Sequence, residues 1–139
     1  MALTKVTADV LGELGASIVD HTQLHDRYTS AAIITSTSGT INTNWSAATT
    51  YKMNASLTGA TTLNFTGFVT GQVLTIHQLE GAQTLTLTSD ASSSSTFHKI
   101  GADYDGSSDP NILQVECLDD SANAVFAYTI ATITQDTTP

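Results

Sequence analysis

The sequence predicts an all-β protein: an antiparallel β-sandwich or jelly-roll-like domain preceded by a short, partly helical N-terminal arm. Three observations lead there. From about Thr40 onward, apolar and polar residues alternate with a period of two, the spacing of half-buried strands. The alternating runs are short, and Gly, Pro, Asn, Asp and Ser interrupt them often, as in sandwiches and barrels. Before that point the apolar residues fall at steps of three and four, the period of a helix. The chain therefore divides into an arm over residues 1–36 and a β-domain over residues 37–139.

In the arm, Leu3, Val6, Val10, Leu14 and Ile18 share one helix face. Gly12 and Gly15 each cost such a helix about 1 kcal/mol, so it is expected to be broken. Ser17 with Asp20 supplies a cap for a second short helix. The segment is too small to bury that face alone, which makes these five residues the candidate attachment surface. The strands are read in order as "TINTNW", "TTYKMNASL", "TTLNFTG", "QVLTIHQLE", "TLTLTS", "NILQVECLDD" and "NAVFAYTIATITQ". Turn chemistry separates them at Thr58-Gly59, Gly67, Gly71, Glu80-Gly81, Ser92 to Ser95, Asp105-Gly106, Asp109-Pro110 and Asp119-Asp120-Ser121. Alternation assigns Tyr51, Met53, Leu63, Phe65, Leu74, Ile76, Leu85 and Leu87 to the core. Leu113, Val115, Cys117, Phe126, Tyr128 and Ile130 join them.

Composition narrows the function. The chain has 139 residues and a formal net charge of -9, from 4 basic and 13 acidic residues. Nucleic-acid binding needs clustered Lys and Arg, and anionic membranes attract the same residues, so neither is expected as a partner. Charged residues make up only 12%, against roughly 25% in an average protein. Threonine takes their place on the outward faces. It suits the pleat, keeps the surface wet, and loses little side-chain entropy when another protein covers it. A Thr-rich, charge-poor sheet is what a surface packed against neighbours would look like. The single cysteine, Cys117, allows no disulfide within the chain and reads as a small buried hydrophobe. The first residues carry no secretion signal and no run of about 18 apolar residues occurs, so synthesis in a cytoplasm is expected.

The run "TTYKMNASLTGATTLNFTGFVTGQVLTIHQLEGAQTLTLTSD" resembles a β-module of tailed-phage fibre and decoration proteins. The likeness runs through Leu57 to Phe65, Gly71 to Gln78 and Gln83 to Leu87. It continues to a final hairpin over residues 112–133 that turns at Asp119-Asp120-Ser121, and it covers about two thirds of the chain. The opening "ALTKVTADVLGELG" is similar to N-terminal attachment segments of phage appendage proteins. The resemblance implies a non-enzymatic virion protein, a homotrimeric capsid decoration, cement or fibre protein attached through its arm. Its partners would be further copies of itself and other virion proteins, such as the major capsid protein or a tail or neck protein. The alternative is a carbohydrate- or receptor-binding module with a glycan partner.

Residues with chemistry are few. His21 and His25 lie four apart, a spacing that suits a metal on a helix, with Asp20 or Asp26 as the only further ligands nearby. Asp103, Asp105 and Asp109 suggest a calcium loop but lack the Glu of that motif, and a solvated turn, where Asp and Gly are expected anyway, is the simpler account. His77 and His98 with Glu80 or Asp90 would be an acid–base set only if the fold brought them together. Ser92 to Ser95 lacks any nucleophile motif. No catalytic, metal or cofactor site is expected. Trp45 and Tyr104 are the aromatics singled out as ligand-facing candidates, because an exposed ring stacks on the apolar face of a sugar. For Trp45, packing on the domain's edge is the simpler account.

Overall fold

The computed structural model of the chain describes residues 31–91, 94–107 and 109–134. The five arm positions Leu3, Val6, Val10, Leu14 and Ile18, together with Asp20, His21, His25 and Asp26, lie outside the described residues.

Nine strands are described: β1 (Ala32–Ile34), β2 (Gly39–Asn44), β3 (Thr50–Met53), β4 (Thr61–Thr66), β5 (Val73–Leu79), β6 (Leu85–Ser89), β7 (Thr96–Gly101), β8 (Asn111–Asp119) and β9 (Val125–Thr132). The described part is therefore all-β. All seven runs read from periodicity contain a strand, and the turn signals fall between strands, except that Asp119 is the last residue of β8. The arm boundary moves, however. Ala32–Ile34 forms a strand beside β3 and places Ile34 in the core, so the β-domain begins before residue 37. Three residues are too few to display a period.

The antiparallel jelly-roll expectation is corrected by the strand pairing. A long sheet has the order β1-β3-β5-β8-β9-β7 and a short sheet the order β2-β4-β6. Within the short sheet both pairings are parallel, as are β1 with β3, β3 with β5, and β7 with β9. Only β8 is antiparallel to its neighbours β5 and β9. Through β6 the chain alternates between sheets, so each connection carries it across the core and each new strand lands beside the one before last. Most of the turn signals between strands therefore mark crossings of this kind. The β8–β9 connection is a true hairpin, turning where the sequence indicated, with an irregular register between Cys117 and Asp119.

The inward residues of both sheets meet in one core. Ile41, Leu63 and Phe65 from the short sheet join Leu74, Ile76, Leu113, Val115, Phe126 and Ile130 from the long one. An aromatic cluster closes one end. Trp45 meets Phe65 edge-on at 5.6 Å between ring centroids, and Phe97 stacks on Phe126 at 4.9 Å. Rings of this size dominate the buried apolar area of a small domain. At the opposite end a glycine is required: Gly81 sits at φ +107, and a Cβ there would collide with the Leu57 carbonyl oxygen.

Candidate functional site

The outer face of the long sheet is built by strand register. One row runs Val73, Glu116, Ala127 and His98; the next runs Thr75, Gln114, Thr129 and Ile100. Val73 is 47% exposed and Ile100 61%. Ile33 and Leu118 are also large, exposed and apolar on outward positions of this sheet. Scattered apolar residues are ordinary on a surface, but here they share one face. Between Val73 and Ile100 the face dips into a shallow depression of about 300 Å³ whose lining includes Gln114, Glu116, Ala127 and Thr129.

The outer face of the short sheet has a different texture. Thr40, Thr62 and Thr86 stand side by side, as do Asn42, Asn64 and Thr88. In the second row, Asn64 Nδ2 donates to Asn42 Oδ1 at 2.9 Å and Thr88 Oγ1 donates to Asn64 Oδ1 at 3.1 Å. None of the three strands contains a charged residue. The outer face of the short sheet thus carries no charge, whereas that of the long sheet carries Lys52 and Glu116 among exposed apolar side chains.

The ligand-facing aromatics are placed away from that role. Trp45 is 0% exposed, among Phe65, Phe68 and Phe126, and offers no ring face to a ligand. Tyr104 is half-buried, and its hydroxyl donates to the Gly81 carbonyl at 2.8 Å, tying two loops together. Burial pushes that hydroxyl above its ordinary value, with the nearby Glu80 and Asp105 carboxylates adding to the shift.

The remaining candidates do not converge. His77 lies on β5 and His98 on β7, with β8 and β9 between them and four residues of offset along the strands, so they stand more than roughly 14 Å apart at about 4.8 Å per strand. Glu80 accepts a hydrogen bond from Ser56 Oγ at 2.6 Å. Asp103 pairs with Lys99, while Asp105 accepts from the Ser107 amide and hydroxyl, which holds its carboxyl below the usual range. These two carboxylates are engaged in turns, and among the described residues no group of three or more His, Cys, Asp or Glu could hold a metal. Ser92 and Ser93 lie outside the described residues; Ser95 Oγ meets Ser89 Oγ at 2.7 Å. Cys117 is buried, and burial pushes its thiol up, away from the reactive thiolate.

Two residues that periodicity did not mark organise the end of the molecule near Gly81. Asn111 is 0% exposed; its amide nitrogen donates to the carbonyls of Leu79, Asp105 and Asp109, and its oxygen accepts from Thr132 Oγ1. Gln78 has φ +57, the one non-glycine residue in the left-handed region among those described. Asp109-Pro110 ahead of a strand was the only sequence signal near Asn111, and Gln78 had none. Compared with known protein families, with curated proteins and with solved structures, the chain matches none.

Proposed function

We propose that this chain is a non-enzymatic structural protein of a tailed-phage particle, a capsid decoration, cement or fibre protein that works as a homotrimer. The two sheets serve as a rigid, sandwich-like body. The N-terminal residues, with the apolar positions Leu3, Val6, Val10, Leu14 and Ile18 of the sequence, serve as the arm that attaches it to a capsid, tail or neck protein. Its place of action is the virion, after synthesis in the host cytoplasm.

The observation that carries this reading is the outer face of the long sheet. Val73 and Ile100 stand exposed on neighbouring rows, Glu116, Ala127 and His98 complete the first row, and Thr75, Gln114 and Thr129 complete the second. Such a face loses little entropy when covered and carries few charges to desolvate. Apolar contact contributes about 25 cal/mol per Å², so a few hundred Å² per copy becomes substantial when repeated over a symmetric particle. The resemblance of residues 49–90 to phage β-modules supports the same reading.

The test is to place charge on this face. Val73→Glu combined with Ile100→Glu is expected to leave the fold intact, because both side chains are solvated, and to convert the assembled protein to monomer by sedimentation. An unchanged native mass in the double variant would move the subunit contact elsewhere.

A further inference from the structure

Beside the bulge in β5 lies a depression of about 230 Å³ lined by Met53, Asn54, Ala55, Gln78, Glu80 and Pro110. We infer that it is a binding site for one neutral saccharide unit, held by the Asn54 and Gln78 amides and the Glu80 carboxylate beside Ala55 and Pro110.

The bulge is the first argument. Ile76 pairs with Leu113 and Leu79 with Asn111, so β5 spends one residue more than β8 over this interval. The extra residue leaves Gln78 at φ +57, a conformation that glycine adopts freely and glutamine does not. Bulges re-aim side chains, and strained backbone persists where the surroundings hold it. Here Asn111 holds it: the same amide that donates to the Leu79 carbonyl also fastens the 105–109 loop leading to Pro110. A turn that needed only its backbone shape would be better served by glycine. Glutamine at this position adds a side-chain amide to the wall of the depression.

The chemistry of the wall selects the ligand. The Asn54 and Gln78 side chains make no hydrogen bond to any described residue, so two amide NH2 groups and two carbonyl oxygens remain for a guest. Ser56 holds one Glu80 oxygen and leaves the other as an acceptor. An amide pair beside a carboxylate suits adjacent hydroxyls, and Ala55 and Pro110 give a small apolar edge for the C–H groups of a sugar ring. No Lys, Arg or His lines the depression, which disfavours an anion. One carboxylate is too few for a hard cation. The volume falls below the roughly 300–1,000 Å³ of sites for drug-sized ligands, so one ring is the expected occupant. This site is independent of the assembly reading.

Saturation-transfer NMR on the full chain, with glucose, galactose, N-acetylglucosamine and rhamnose as probes and glycerol as control, tests it. At least one sugar should receive saturation while glycerol does not. The signal should fall at least ~5-fold in both Gln78→Gly and Asn54→Ala, and the melting temperature of Gln78→Gly should equal or exceed that of the parent, because glycine relieves the backbone. Asn54 is exposed and beyond the end of β3, so its variant keeps the fold and decides the question if Gln78→Gly does not. Silence from all four sugars, an equal response from glycerol, or an undiminished signal in Asn54→Ala would overturn the assignment.

Discussion

At the scale of single residues, the side chains with most consequence are buried polar ones. Asn111 satisfies three carbonyls from two segments, and no other described side chain bonds to as many. Asn111→Ala leaves those carbonyls without their donor, at about 1–3 kcal/mol for an orphaned buried group. We expect a loss of about 3 kcal/mol in chemical denaturation, with the 105–109 loop showing the largest gain in amide exchange. Tyr51 gives a prediction in pH. Burial pushes its hydroxyl above the ordinary value of about 10. The folded state therefore keeps a proton that the unfolded chain gives up. That stabilisation is complete below about pH 10 and is lost as pH rises through the folded value. Unfolding curves taken at rising pH should show the decline, and Tyr51→Phe should make it shallower. Neither role was legible in the sequence. Periodicity assigns Tyr51 a direction and says nothing of its hydroxyl, which donates to the Asn44 carbonyl at 2.8 Å.

At the scale of elements, alternation was a good guide to faces and a poor one to partners. Leu63 and Phe65 point inward and Thr62, Asn64 and Thr66 outward, as the period requires. The same period is satisfied by parallel and antiparallel neighbours, so it could not choose between them. A signal that does choose lies in the repeat of Thr40-Ile41-Asn42, Thr62-Leu63-Asn64 and Thr86-Leu87-Thr88, which the structure stacks row upon row. Like residues fall side by side in this way when each coil of chain repeats the last. β7 escaped the period because four of its last five residues, "FHKIG", are exposed. The contrast between faces is testable within β4. Leu63→Ala should cost about 2–5 kcal/mol, as for other buried leucines. Asn64→Ala breaks two side-chain hydrogen bonds at the surface and should cost no more than about 1–2 kcal/mol. Thermal denaturation of the two variants would show the difference, and equal losses would mean that the Asn row stabilises the sheet as much as the core does.

At the scale of the whole molecule, composition carried the most information. A chain with a net charge of -9 and only 12% charged residues keeps its charge off the short sheet entirely and leaves apolar side chains on the long one. Like-charged copies approach most easily through faces of that kind. The aromatic residues misled at this scale. Trp45 was legible as either a ligand platform or an edge packer, and the aromatic cluster around it becomes visible only when β4, β7 and β9 are brought together.

The central claim, that the long-sheet face joins copies of this chain, is tested most directly by the native mass of the full chain over a range of concentrations. A version lacking residues 1–30 should be measured in parallel. That cut spares β1, which a deletion through residue 36 would remove from the core. The account predicts a trimer for both chains, with the β-domain as the assembling unit and the arm reserved for the particle. A monomer in both at every concentration would contradict it, and a trimer lost on deletion would move the threefold contact into the first 30 residues.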